Sequence, residues 1–401
     1  MTTAQIPAAG EIDAIVDWLL QQGMFGDDIA TLLQSFGERL NAAGVRLWRG
    51  HLAIATLHPA YSALGFTWRR DKGLLAEQYD HRDEVPMQWR QSPLRRLIEE
   101  RIPSLRLRLH LGEGLSEHPV LVQFRAEGAT DWLGTLVEFG GAGQPAGIPG
   151  MACSWASDRE GGFTDADLQA IERLLPALGL VVFRMVLMQV ATTLLQTYTG
   201  GDAGRRILSG QIKRGAVERI SAVICIADIR GFTGLADRAE GQELLGWLND
   251  YLGAMTDAVE AVGGQVLKFL GDGLLAVFPL QDRRPAEVCG QAVAAVTAAR
   301  AVFGALDQRQ AAAGAPPLEL DIALHLGEVL YGNVGSTSRL DFTVIGPAVN
   351  EASRIEALCA PLDRTLLMSA AFAAAWEGPS VSLGFHRLRG IETPQELFTL
   401  P

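Results

Sequence analysis

In EIDAIVDWLL, Ile12, Ile15 and Leu19, flanked by Val16 and Leu20, recur at helical spacing, so the pattern predicts an amphipathic helix. DDIATLLQSFGERLNAAG predicts a second helix that stops at Gly44. VRLWRGHLAIATL and ALGFTWRR predict strands, PLRRLIEERI a helix, and PVLVQFRA and DWLGTLVEFG two more strands. GFTDADLQAIERLLPALGLVV then opens a long helix expected to reach about residue 198. Thr164 caps it, and acidic residues fill its first turn, where the helix dipole favours them. GGAGQPAGIPG (140–150) predicts a loop, and TGGDAG (199–204) a flexible break between two halves.

The second half alternates more regularly. VERISAVICIADI ends in a continuous apolar run, as a central buried strand does. ELLGWLNDYLGAMTDAVEAVGG predicts a helix with Leu244, Leu248, Tyr251, Leu252, Met255, Val259 and Val262 on one stripe, stopped by Gly263 and Gly264. QVLKFLGDGLLAVF predicts two strands joined at Gly271-Asp272-Gly273, a strong hairpin signal. PAEVCGQAVAAVTAARAVFGAL predicts a second long helix and LELDIALHLGEVLYGNVG a return to strand. AVNEASRIEALCA predicts a helix, and LLMS, VSLGFHRL and ELFTL predict strands. Strands alternating with helices around a central hairpin predict a ferredoxin-like α/β (α+β) sheet with additions. The expected division is a sensor or dimerisation domain over 1–170, a helical linker over 171–204 and a second domain over 205–401.

Composition narrows this picture. A chain of 401 residues with 48% hydrophobic and 20% charged residues can bury more than one core. The net charge of −12 argues against nucleic acid held on a broad basic surface. Of 34 basic residues only Lys72, Lys213 and Lys268 are lysines, which singles out each of them. Cys153, Cys225, Cys289 and Cys359 lie far apart with no CxxC, as expected of buried free thiols in a reducing cytoplasm. Cys153 is expected to pack rather than hold a chromophore, and His51, His58, His81, His110 and His118 show no metal-ligand spacing. No signal peptide is expected from MTTAQIPAAGEIDA. The apolar stretch 174–195 has the length of a membrane span, but Pro176, Arg184 and Gln189 interrupt it, so no span is expected. A helix buried between two protomers accounts for the same residues.

The candidate chemistry lies in the second half. Asp228 ends the buried strand in CIADIRGFTG, where the main-chain N–H groups of a Gly-containing turn can face phosphate. Asp272 sits at the hairpin tip. Two carboxylates at adjacent strand ends, with a triphosphate, suit magnesium or manganese. Lys268 precedes Asp272 by four residues in KFLGDG, and Asn350 and Arg354 share one helix face in VNEASR.

ADIRGFT, KFLGDG, LHLGEVLYGNVG, FTVIGPAVNEASRIE and LRGIETPQELFTL stand in order across 205–401. In these motifs the second half resembles the catalytic domain of the class III adenylate and guanylate cyclases. The resemblance implies that Asp228 and Asp272, with the Ile229 carbonyl, hold two Mg2+ or Mn2+ ions per site. It implies that Gly231, Phe232 and Thr233 line the substrate, that Lys268 reads the base, that Asn350 orients the ribose and that Arg354 stabilises the transition state. Many adenylate-forming members carry Asp seven residues before the Asn. Thr343 stands there, so the chain is similar to the Thr-bearing subclass. Lys268 then donates to adenine N1 and Thr343 accepts from the N6 amino group. Asp321 stands where some members place an Arg near the triphosphate, and Arg389 is assigned that phosphate contact instead. Such domains act as head-to-tail homodimers, one copy giving the two aspartates and the other Lys268, Asn350 and Arg354. The implied reaction is ATP to 3',5'-cyclic AMP and pyrophosphate, with His325 structural rather than a base.

Residues 1–170, in strand order and in the exit helix GFTDADLQAIERLLPAL, resemble GAF domains, which implies a small-molecule ligand of unknown identity. Helix 165–198 is expected to transmit rotation between protomers. Loss of 1–200 is then expected to change basal activity or dimer affinity. Two further readings are guanylate or diguanylate cyclase and a catalytically dead nucleotide-binding or dimerisation module. GGQVLKFLGDG lacks the acidic pair of the diguanylate enzymes, and a dead domain is expected to lack a metal Asp or the Arg.

Overall fold

The computed structural model describes residues 9–81, 87–140, 148–236, 241–312 and 318–401. The chain divides into two compact units, Met1–Leu194 and Leu195–Pro401. Most of the predicted loop 140–150 lies outside the described residues.

The first unit is a six-stranded antiparallel sheet in the order β3-β2-β1-β6-β5-β4. Its strands are β1 (Leu47–Ala55), β2 (Tyr61–Arg69), β3 (Gly73–Asp80), β4 (Ser104–Leu107), β5 (Asp131–Glu138) and β6 (Gly150–Ser157). Its helices are α1 (Ala9–Phe25), α2 (Ile29–Ala42), α3 (Met87–Arg90), α4 (Pro93–Glu100), α5 (Pro119–Ala126) and α6 (Asp165–Thr199), the last running past the unit boundary. Ile12, Ile15 and Leu19 of α1, Leu33 and Phe36 of α2, and Ile171, Leu174 and Val182 of α6 share one core with Leu52 and Trp155 of the sheet. Leu97 of α4 and Leu121 of α5 pack with Trp48 and Trp132 in a second core. A cavity of about 500 Å³ is lined in part by Asp27, Asp28, Leu64, Phe66, Glu77 and Gln189.

Two local expectations are corrected. PVLVQFRA is the helix α5, not a strand. Pro119 sits in the first turn, where its missing N–H costs nothing, and Gly128, at φ +106, follows the helix end. TGGDAG is not an open break, since only Gly200, at φ +89, separates α6 from the next helix. The predicted start of α6 has a physical basis in a reciprocal cap. The Asp167 N–H donates to Thr164 Oγ1 (3.2 Å), and the Thr164 N–H donates to Asp167 Oδ2 (2.8 Å). Two helices, Asp165–Thr199 and Pro285–Gln308, are long and apolar enough to cross a membrane. In α6, Leu174, Leu178, Val182, Met185 and Val186 are buried, and Arg184 donates to the Gly26 carbonyl.

The second unit holds α7 (Gly201–Leu208), β7 (Val217–Arg230), α8 (Phe232–Ala236), α9 (Gly241–Ala261), β8 (Gln265–Leu270), β9 (Gly273–Pro279), α10 (Pro285–Ala312) and β10 (Glu319–Gly335). β11 (Leu340–Ile345), α11 (Pro347–Glu356), β12 (Leu366–Ser369), α12 (Ala370–Ala375), β13 (Val381–His386) and β14 (Gln395–Thr399) complete it. The spatial order β10-β7-β9-β8 is antiparallel throughout and carries one helical crossover before β8 and another before β10, the ferredoxin-like arrangement. β12 adds in parallel to β10, β14 and β13 extend that edge, and β11 pairs with the far half of β10. Helices α9 and α10 bury Tyr251, Met255, Val259 and Phe303 against one sheet face. Phe342, Val344, Ala348 and Ala352 of β11 and α11 pack with Ile224, Ile226 and Leu275 in a separate core.

Candidate active site

Asp228 lies two residues before the end of β7, paired across the ladder with Asp321 of β10. The hairpin brings Asp272 to it, and the two glycines do different work. Gly271 adopts φ +72, which favours glycine in the turn. Gly273 permits contact: a Cβ placed there would lie 2.4 Å from the Ala227 carbonyl oxygen and 2.7 Å from Asp228 Oδ1. Burial pushes the Asp228 carboxyl above its ordinary pKa, Asp272 and then Asp321 push the same way, and only the Ile229 N–H pulls it down. All the charged groups that shift it are therefore acidic.

Asp321 is buried and held by Arg230, whose Nε and Nη2 donate to it at 3.0 and 2.6 Å. It is thus tied into an ion pair across two strands, where the sequence reading saw only a departure from the common pattern. Glu356, the last residue of α11, faces the same acidic group. Its carboxyl is pushed up to about 7, first by burial and then by Asp228, Asp321 and Asp272. Sequence reasoning missed both Arg230 and Glu356. The only available signals were a basic residue two after Asp228 and an acid two after Arg354.

The residues fit divalent ions. The neighbouring Asp272 disfavours the ionised form of Asp228 and no basic group offsets it, so a cation placed beside Asp228 relieves that cost. Among the described residues no group of three or more His, Cys, Asp or Glu side chains forms a ready-made cage.

The remaining predicted residues occupy other places. Ile229 is buried on β7. Gly231, at φ +77, turns the chain into α8, and Phe232 packs against the core there. The side chain of Thr233 lies outside the described residues. Lys268 on β8 donates to Asp341 of β11. Thr343, two residues on, is buried, and its Oγ1 has no hydrogen-bond partner. Asn350 on α11 is exposed. Gly327 lets α11 lie close against β10, since a Cβ there would lie 2.6 Å from the Ala348 Cβ. The turn at Arg389 and Gly390 sits by Arg354: a Cβ on Gly390 would lie 3.6 Å from Arg354 Nη2. Among the described residues no carboxylate pairs with Arg354 or Arg389. His325 is buried with Nδ1 3.8 Å from Glu351 Oε1, and burial pulls its pKa down. Cys153, Cys225, Cys289 and Cys359 are all free and buried, and burial pushes the Cys153 thiol up to about 12.

One stability prediction follows from Glu356. A folded-state pKa of about 7 against an ordinary 4.5 means that ionising Glu356 opposes folding. The penalty is absent at low pH, grows as pH rises from about 4.5 to 7 and is full above that. Glu356→Gln is expected to stabilise the metal-free protein by about 1–2 kcal/mol at pH 8, after allowance for partial solvent exposure. It is expected to do little at pH 4.5. Thermal unfolding in a chelator at both pH values checks this, and equal effects at the two would contradict it.

Residues 216–371 match the family model described as the adenylate and guanylate cyclase catalytic domain. The match lies within the second unit, which is therefore similar to a cyclase catalytic domain. An adenylate cyclase from Anabaena cylindrica is 38% identical over 154 residues, covering 37% of this chain and 29% of that protein. An uncharacterized protein of Mycobacterium tuberculosis is 35% identical over 206 residues, covering 49% of this chain and 36% of its own. The crystal structure of the adenylyl cyclase CyaB from P. aeruginosa superposes with a TM-score of 0.42 at 28% identity, covering 45% of this chain and 94% of that one. The chain spans between 7% and 36% of the length of the first curated relatives it matches.

Proposed function

We infer that the chain is an adenylate cyclase that converts ATP to 3',5'-cyclic AMP and pyrophosphate at sites shared between two copies of itself. The observation that carries this reading is the uncompensated pair Asp228 and Asp272, brought together by Gly273 inside a cyclase catalytic domain that also retains Lys268, Asn350 and Arg354. Adenylate cyclases among the relatives, from Anabaena cylindrica and Rhizobium meliloti, support ATP as substrate. Lys268 supports it chemically. An ammonium only donates, so it suits the bare N1 of adenine and opposes the N1–H of guanine.

Asp228 and Asp272, with the Ile229 carbonyl, would hold two Mg2+ or Mn2+ ions. When bound, such ions lower the pKa of the ribose 3'-hydroxyl and neutralise charge on the leaving pyrophosphate. The 3'-oxygen loses its proton and bonds to the α-phosphorus as the bond to the β-phosphate bridging oxygen breaks. Asn350, exposed on α11, orients the ribose for in-line attack. Arg354, which has no carboxylate partner among the described residues, stabilises the charge that gathers on the α-phosphate. Arg389, next to Gly390 in the turn that sits by Arg354, adds positive charge at the triphosphate, and Gly231, Phe232 and Thr233 follow Asp228 in the chain.

The shared site is supported by the acidic surroundings of Asp228, with no Arg among the groups that shift it. It is supported also by Phe269 and Leu270, which are 54% and 48% exposed beside Lys268 and suit burial against a second copy. For the first unit the reading remains a GAF-like sensor. Its antiparallel sheet supports this, and its cavity offers room for a small ligand.

The test is product identification. The full chain incubated with Mn2+ and either ATP or GTP is expected to form cyclic AMP from ATP at least about tenfold faster than cyclic GMP from GTP. Cyclic GMP as the main product would favour the guanylate reading. No cyclic product from either nucleotide, with the nucleotide still bound, would favour the dead module.

A further inference from the structure

Asp341 stands two residues before Thr343 on β11, so the two side chains project from the same face of the strand. Its carboxylate accepts from Lys268 Nζ, which lies on β8, 73 residues away in the chain. Among the described residues β11 pairs with β10 and β8 with β9, so this ion pair joins two strands of the sheet that are not ladder neighbours. Asp341 is half exposed and Lys268 about a third exposed. An exposed pair of this kind contributes roughly 0–1 kcal/mol to stability, so holding the fold together does not explain it.

Beside the pair sits the Thr343 hydroxyl, buried and without a partner. A buried hydroxyl left unpaired costs roughly 1–3 kcal/mol, which a ligand amino group would recover. Lysine presents its charge on a flexible four-carbon stem. To read a single ring nitrogen, that charge has to be fixed. A carboxylate that takes one of the three ammonium N–H donors fixes it and leaves two donors free.

We propose that Asp341 is a positioning and specificity residue that anchors Lys268 beside the Thr343 hydroxyl, so that three side chains rather than two select the purine. This rests on the nucleotide-cyclase reading above. In the pose where adenine N1 meets Lys268, the N6 amino group meets Thr343 and the Asp341 carboxylate. Guanine in that pose turns an N1–H toward the ammonium and its carbonyl O6 toward a carboxylate, which is repulsive at both positions. Asp341 therefore strengthens the hold on adenine and adds a penalty against guanine.

The experiment measures equilibrium binding of 3'-deoxy-ATP and 3'-deoxy-GTP, which lack the attacking hydroxyl, to the full chain with Mn2+. Steady-state kinetics on ATP accompany it. Asp341→Asn is expected to weaken 3'-deoxy-ATP about five- to tenfold through the loosened Lys268 and to narrow the ATP-to-GTP preference by about tenfold or more. The loss is expected in KM more than in kcat, and Asp341→Glu is expected to restore most of it. Unchanged affinity and unchanged preference in a variant with wild-type thermal stability would overturn the assignment. So would a variant that loses stability but keeps the preference, since that describes an ordinary surface ion pair. If the wild-type chain binds neither nucleotide, the cyclase reading itself fails and this inference falls with it. Binding by the wild type that Asp341→Asn leaves untouched removes this inference alone.

Discussion

Asp228→Asn and Arg354→Ala, each nearly inactive alone, are expected to recover about a quarter of wild-type turnover when mixed one to one and allowed to exchange subunits. The fraction follows from symmetry. Half of the dimers formed are mixed, and each mixed dimer holds one intact site and one site lacking both groups. Arg354→Ala alone is expected to cost about 10²–10³ in kcat, the scale for losing one charge-stabilising donor. Asp228→Asn removes half of the acidic pair and is expected to cost at least as much. The structure gives this experiment its rationale, because within one chain the charges that shift the Asp228 carboxyl are Asp272 and Asp321, while Arg354 lies by the turn at Gly390. Turnover of the mixture, with exchange monitored by differently tagged copies, is the measurement. Exchange without recovered turnover would place both groups in one chain's own site and remove the shared-site reading.

Lys268→Glu is expected to lower kcat/KM for ATP by about 10³ and to leave GTP as the better of two poor substrates. Two effects combine. The donor to adenine N1 disappears, and a carboxylate replaces it that can accept from the guanine N1–H. The same change removes the partner of Asp341 and sets two like charges against each other on β8 and β11, so the site is expected to open as well as change preference. Chromatographic identification of cyclic AMP and cyclic GMP from paired reactions decides it. A variant that keeps its ATP kcat/KM within threefold would show that Lys268 does not touch the base.

Much of the second unit is legible from local pattern. The stripe Tyr251, Met255 and Val259 reads as a buried helix face and is one. Gly271-Asp272-Gly273 reads as a hairpin and is one, although the contact between Gly273 and Asp228 has no signal in the motif itself. In the first unit, β3, β4 and β6 escaped notice. β3 is almost wholly exposed and lacks alternation, β4 is only four residues long, and β6 is built mostly from small residues that carry little strand preference. PVLVQFRA misled because three β-branched or aromatic residues outweigh an N-terminal proline when neighbours are ignored, whereas the packing of Leu121 prefers a helix.

By itself the amino-acid sequence determined the helices and the central hairpin of the second unit, the residue types set near the end of β7 and along α11, and the likeness to the cyclases. Those follow from preferences acting within one helical turn or one strand and from motifs in a fixed order. Only the tertiary structure decided that Arg230 neutralises Asp321, that Glu356 joins the acidic group, and that Asp341 holds Lys268. Each of these joins residues distant in the chain through strand register and the seating of α11. Electrostatic energy depends on separation in space and on exposure to water, and neither quantity exists until the chain has folded.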